Sequence, residues 1–209
     1  MPDFSHEKAC NTQGLIFGID EAGRGPWCGP VVAACVCFPN FQIDGNLAAQ
    51  INDSKKLSAT KREKLLPLIM NSGAYIGIGQ ASAEEIDQIN ILQATFLAMK
   101  RALEDVAQQG HPANFALIDG NRLPNWKLPC QCLIKGDSLS LSIAAASIVA
   151  KVTRDHLMQE LAKEYPQYGW DKNAGYGTVD HIKALHQYGV TPHHRKTYKP
   201  IAELLSHQI

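Results

Sequence analysis

The 209-residue chain lacks any apolar run long enough to cross a bilayer. Its longest apolar stretches, such as SIAAASIVA, fall far short of the ~20 residues that a spanning helix needs. The opening segment, MPDFSHEKAC, has no basic stretch leading into an apolar core, so no secretory leader is expected and a cytoplasmic location follows as the default. A charge excess of either sign is also missing, with 20 Lys and Arg against 20 Asp and Glu. Bulk attraction to a polyanion is therefore absent as a clue, and only local patches can steer one. The six cysteines form no C-x-x-C knuckle. The pairs Cys35/Cys37 and Cys130/Cys132 sit in strand-like runs with no histidine at ligand spacing, so with Cys10 and Cys28 they read as free thiols rather than zinc ligands. Repeats, low-complexity tracts and interdomain linkers are absent. The 45% hydrophobic and 19% charged content is that of an ordinary globular chain. One domain over residues 1–209 is expected, with residues from about 165 onward as its helical C-terminal extension.

What is present alternates between strand and helix signals. Apolar, β-branched runs predict strands over 15–20, 31–38, 76–82, 115–121 and 130–137. Ser58 is a candidate N-cap for a short helix that Pro67 should bend. Ser82 and Glu85 form a capping box, followed by helical spacing through Ile86, Ile89, Leu97 and Leu103; Asn90 is placed to cap a second helix inside this stretch. Gly110 and Pro112 end it. A long helix rich in Ala and Ser follows Asp137, and its small side chains suit close packing on a sheet. The pattern predicts a mixed α/β sheet covered by helices.

Acids recur where strand signals give way to loops: Asp20 and Glu21 before Gly23, Asp119 before Gly120, and Asp137 after Gly136. A lone Asp-Gly is equally a turn former. Carboxylates gathered in space repel one another, and divalent cations relieve that repulsion; hard oxygen donors select Mg2+ or Mn2+. Two such ions about 4 Å apart are a known arrangement for phosphodiester chemistry. Adjacent side chains of a strand point to opposite faces, so the chain is expected to leave strand geometry at Glu21 if Asp20 and Glu21 serve one site.

The segment GIDEAGRGPWCGP, residues 18–30, contains glycines without being a nucleotide loop. G-x-G-x-x-G read from Gly23 would need glycine where Cys28 stands, and no G-K-[ST] is present. Pro26 and Pro30 oppose the helix that either loop must open. What remains is a tight turn whose glycines let the backbone approach a ligand, with Arg24 as a charged donor.

These motifs resemble the ribonuclease HII family, the type 2 ribonucleases H. DEAGRGP with a following GP, then DSKKLS, DGN, KGD, AAASIVAKVTRD, YPQYG, GYGT and HHRKTYKP occur in that family's order, from about residue 13 to 202. The resemblance implies a ribonuclease H-like fold, a mixed sheet flanked by helices with a helical C-terminal region. It implies that Asp20, Glu21, Asp119 and Asp137 are the catalytic, metal-binding acids for two Mg2+ or Mn2+ ions. Gly23, Arg24 and Gly25 would read the ribonucleotide through its 2′-OH, and Tyr176 would stack on the neighbouring deoxyribose. Lys55 and Lys56 are implied near the substrate. The implied substrates are RNA–DNA hybrids and duplex DNA with embedded ribonucleotides, cut on the 5′ side of the ribonucleotide to leave 3′-hydroxyl and 5′-phosphate ends. The biological setting would be ribonucleotide removal and primer removal, by a monomer. Other basic residues, among them Lys151, Arg154, Arg195, Lys196 and Lys199, would track phosphates if not merely solvated. Trp27 and Cys28 stand where the family more often has smaller or aliphatic residues, and KNAGYG lacks the His-Lys that often precedes the tyrosine. The ELLSHQI tail carries no aromatic clamp-binding motif.

Overall fold

The computed structural model describes residues 1–206; the last three residues of the ELLSHQI tail lie outside the described residues. Five strands form one sheet: β1 (Ile16–Ala22), β2 (Val31–Cys37), β3 (Tyr75–Ala81), β4 (Phe115–Asp119) and β5 (Cys130–Leu133). Their order across the sheet is β3-β2-β1-β4-β5. β1, β2 and β3 pair antiparallel, whereas β4 lies parallel to β1 and β5 parallel to β4. The helices are α1 (Ser5–Ala9), α2 (Gly45–Ala48), α3 (Ala59–Met70), α4 (Ala83–Gln108), α5 (Leu141–Glu164), α6 (Trp170–Asn173), α7 (Val179–Tyr188) and α8 (Lys199–Ser206). None is long and apolar enough to cross a membrane.

Strand alternation sorts the core into two layers. Ala34 and Val36 of β2 pack with α3 and α5, while Ala33, Cys35 and Cys37 pack with α4. Glycines set how closely the helices approach. A methyl at Gly18 would overlap the main chain of α5 at Ser142–Ile143, and methyls at Gly77 and Gly79 would overlap carbonyls of Ala102 and Ala98 on α4. Both long helices therefore lie almost against the sheet backbone, with small residues as their contact faces.

The caps form as read. Ser58 accepts from Lys61 N, and α3 continues through Pro67, which falls in its last turns. Ser82 and Glu85 complete the capping box. Asn90, at φ 64°, interrupts α4, and its Oδ1 accepts from Leu92 N and Gln93 N as the cap of the second segment. That interruption shifts the helical phase, so Ile89 is exposed, while Ala94, Ala98, Met99 and Ala102 are buried.

Two strand expectations are corrected. β1 continues through Glu21 to Ala22 because both residues pair with β2. The 130–137 run stops at Leu133, and Asp137 lies in a 3-10 turn, Gly136–Ser138, entered through Lys135 in the left-handed region at φ 59°. α1 has no counterpart among the predicted elements. Its buried Glu7 accepts from Ser140 Oγ (2.6 Å) and Ser142 N (3.0 Å), tying the N-terminal segment to the start of α5.

Beyond α5 the chain forms a separate apolar layer. Trp170, Tyr168, Leu185 and Ile201 close around Met158 and Ala162 of α5 and Cys28 of the glycine turn.

Candidate active site

Register brings the acids together. Ile19 is opposite Ile118 in the parallel β1–β4 pair, so Asp20 and Asp119 lie side by side one residue later, on the α5 face. The 3-10 turn after β5 swings Asp137 towards them, and Asp119 Oδ1 holds that turn by accepting from Gly136 N at 2.7 Å. One carboxylate oxygen from each of Asp20, Asp119 and Asp137 falls within 4.8 Å of the other two. Asp20 and Asp137 are buried.

Glu21 does not join that trio. It is opposite Ala33, whose side chain lies on the α4 face, as strand alternation requires. Its carboxylate reaches Arg24 Nη1 at 3.2 Å. It sits at the rim between the main cleft and a cavity of about 280 Å³ that Leu92, Thr95 and Arg122 line on the α4 side.

The electrostatics are those of crowded acids. Burial, then the charges of Glu21 and Asp119, push the Asp20 carboxyl well above the usual range. Burial also raises Glu21, against the pull of Arg24, and burial and Asp119 raise Asp137, against Lys55. Lys55 Nζ approaches Asp137 Oδ2 at 3.4 Å. Burial works against its ammonium, but Asp137, Asp20 and Asp53 outweigh it and raise its pKa. A trio of hard oxygen donors in which burial and mutual repulsion hold Asp20 and Asp137 towards their neutral forms fits a divalent cation such as Mg2+ or Mn2+.

Asp20 and Asp119 line a cleft of about 270 Å³ together with Gly23, Arg24, Gly25, Lys55 and Tyr176. A methyl on Gly25 would lie 3.4 Å from the Tyr176 ring, so ring and loop face each other closely. Lys56 is displaced from this lining; its Nζ contacts Ser138 Oγ at 3.3 Å, beside Asp137. Asp53, within the DSKKLS segment but without a sequence signal of its own, caps the turn that carries Lys55 and adds a further negative charge next to Asp137.

Two arginines are corrected. Arg154 and Arg195 do not track phosphates, because both are buried. Arg195 donates to the carbonyls of Gly23, Arg24, Pro26 and Gly29, and Arg154 to those of Cys28, Pro30 and Ala174. The glycine loop is thus held from beneath by two guanidiniums. The signal was present in HHRKTYKP, but a basic residue within a charged tail reads as surface. His194, from the same motif, is buried as well, while His193 lines a cavity on the far side of the glycine turn.

Solved structures share this plan. The crystal structure of the ribonuclease H2 from Pyrococcus horikoshii OT3 matches with a TM-score of 0.75 at 24% identity, covering 92% of this chain and 98% of that one. Bst-RNase HIII in complex with Mn2+ matches at 0.72 and 19% identity, covering 92% and 70%. These likenesses define the fold as that of the ribonucleases H of this type. The sequence narrows the class: a family model described as Ribonuclease HII matches residues 17–201, and the ribonuclease HII of Rhodospirillum rubrum is 54% identical over 207 residues, 99% of this chain and 93% of that protein. The chain belongs to the ribonuclease HII family.

Proposed function

We propose that this nuclease cuts at a ribonucleotide, within RNA–DNA hybrids and at single ribonucleotides embedded in duplex DNA, on the 5′ side, leaving 3′-hydroxyl and 5′-phosphate ends. The observation that carries the reading is the shared cleft: the Gly23–Gly25 loop and the half-exposed Tyr176 lie beside Asp20 and Asp119. A 2′-OH is the group that separates RNA from DNA at one nucleotide, and a close backbone approach is a means of detecting it. A ring facing that loop suits the next sugar, where a 2′-OH would crowd it.

Asp20, Asp119 and Asp137 are the residues that would hold divalent ions, with Glu21 contributing from the rim. Mn2+ in the Bst-RNase HIII structure supports the choice of a hard cation. When bound, a pair of such ions stabilises charge on the attacking and leaving oxygens. Lys55 contributes a cation beside Asp137 and orients the phosphate, and the two buried arginines keep the reading loop in one shape. The enzyme would act as a monomer in removing ribonucleotides, and primers, from DNA.

The test uses a labelled DNA duplex carrying one ribonucleotide, an all-DNA duplex, and each with chelator added. Cleavage is expected at the ribonucleotide alone and is lost on chelation. Equal cutting of both duplexes would overturn recognition of the 2′-OH in favour of a resolvase-like nuclease. Cutting that persists in chelator would overturn the metal assignment.

A further inference from the structure

We propose that His181 is a positioning residue for Tyr176, and that it sets how strongly the enzyme prefers a ribonucleotide–deoxyribonucleotide junction. The proposal rests on Tyr176 being the junction-stacking ring.

His181 belongs to α7, whose cap is Thr178: the hydroxyl of Thr178 accepts from His181 N at 3.3 Å. The imidazole folds back over that turn. Its Nδ1 lies 2.9 Å from the carbonyl oxygen of Tyr176, the same oxygen that accepts from Thr178 N at 2.9 Å. The Tyr176 peptide is therefore fixed by two donors, one of them a side chain five residues away.

The proton positions follow from the partners. Thr191 N can only donate, and it donates to His194 Nδ1 at 3.0 Å, so that nitrogen carries a lone pair. The neutral His194 ring then has its hydrogen on Nε2, which points at His181 Nε2, 3.0 Å away. Trp170 Nε1–H also donates to His181 Nε2, at 3.3 Å. With its Nε2 accepting, His181 must carry its hydrogen on Nδ1, and a carbonyl, which cannot donate, is what Nδ1 meets. The chain Thr191, His194, His181, Tyr176 is satisfied in one direction only. Burial lowers the pKa of both imidazoles, that of His194 to about 3, which keeps the rings neutral as this direction needs.

Cys28 lies close enough to these histidines to suggest a buried metal group. The hydrogen bonding argues otherwise. His194 Nε2 and His181 Nε2 are engaged with each other at 3.0 Å, and both His194 Nδ1 and His181 Nδ1 have partners of their own, so every ring nitrogen is already satisfied. Cys28 instead packs against the tyrosine turn, its Sγ filling the space a methyl at Gly175 would need at 2.8 Å, while Trp27 covers Gly177. Trp27 N also donates to Gly175 O at 2.9 Å. The Tyr176 turn is thus seated on Trp27 and Cys28 and locked by His181, which leaves the ring leaning over Gly25.

The experiment compares cleavage of a single-ribonucleotide duplex with cleavage of a long hybrid, taking the ratio of kcat/KM values. In H181Q the amide oxygen takes the place of Nε2 and accepts as that nitrogen does, and the donor to Tyr176 is lost. In H181N the amide nitrogen stands in the place of Nδ1, and the donor is kept. The ratio is expected to fall about threefold to tenfold in H181Q, the scale of one hydrogen bond, and to stay near wild type in H181N. Y176A should lower the ratio, and Y176A/H181Q should lower it no further. If Y176A lowers the ratio and H181Q does not, the inference fails and the stacking reading survives. Losses that multiply in the double variant would show His181 acting elsewhere and also overturn the inference. If Y176A leaves the ratio unchanged, the stacking reading itself fails. The wild-type protein gives a check that no folding defect can blur: nitrogen-15 shifts of His181 should show the hydrogen on Nδ1, and a hydrogen on Nε2 would overturn the proposal.

Discussion

At the scale of single residues, the carboxylates set function against stability. Asp20 is buried beside Asp119 and Glu21, and its raised pKa means that ionising it in the metal-free fold is costly. Asp20→Asn removes that repulsion and one donor. Turnover is expected to be abolished and substrate binding largely kept, while the metal-free variant melts higher than metal-free wild type. Adding Mg2+ or Mn2+ should raise the wild-type Tm by more than that of the variant. Calorimetry with and without chelator checks both signs; a variant that cleaves near the wild-type rate would remove Asp20 from the site. Much of this site was legible. Asp-Glu, DGN and KGD drew attention to the acids because each lies where an apolar run breaks at glycine. Their grouping was not legible, because it depends on the parallel pairing of strands almost one hundred residues apart. Glu21 shows the limit most clearly: alternation argued against it sharing a face with Asp20, and the strand does continue through both residues.

Among the elements, the sheet positions the acids and α5 fixes the sheet. Gly18 lies two residues before Asp20, on the face that α5 covers, with no room for a side-chain carbon. Gly18→Ala would force α5 and β1 apart. It is expected to destabilise the protein by about 3 kcal/mol or more, at the upper end of overpacking effects, and to lower kcat by displacing Asp20 from Asp119. Chemical denaturation and steady-state cleavage of a long hybrid measure the two losses; a stable, fully active variant would refute close packing as the device that aligns the site. Element types were readable because apolar periodicity and caps are local: Ser82 with Glu85, Asn90 and Ser58 all cap as their residue types suggest. Elements whose reason is tertiary were not. α1 is held by Glu7 on the start of α5, and the end of β5 is set by a left-handed Lys135 that no propensity announces.

Across the whole molecule, the C-terminal region is bound to the sheet domain through buried polar groups as well as apolar ones. Arg195 spans from the tail to the glycine loop, and His181 and His194 sit neutral within the apolar layer formed by Trp170, Tyr168 and Leu185. Buried neutral histidines make the assembly sensitive to acid. Burial, and then the neighbouring His181, lower His194 from its ordinary 6.5 to about 3. Below pH 6.5 the unfolded chain takes up a proton that the folded protein refuses, so the stability present at neutral pH is lost as pH falls towards 3. At pH 5 the loss is on the order of 2 kcal/mol from this residue. The crowded acids work in the opposite sense, since their raised pKa values favour the folded state on acidification. Comparison with H194Q separates the two contributions. The variant lacks the titrating ring but keeps every acid, so its stability should fall less between pH 7 and pH 5 than that of wild type, both measured by urea denaturation with chelator present. Identical slopes would mean that His194 takes up its proton in the fold over the same pH range as in the unfolded chain, so that burial does not hold the ring neutral and the directed chain from Thr191 to Tyr176 gives way in that range.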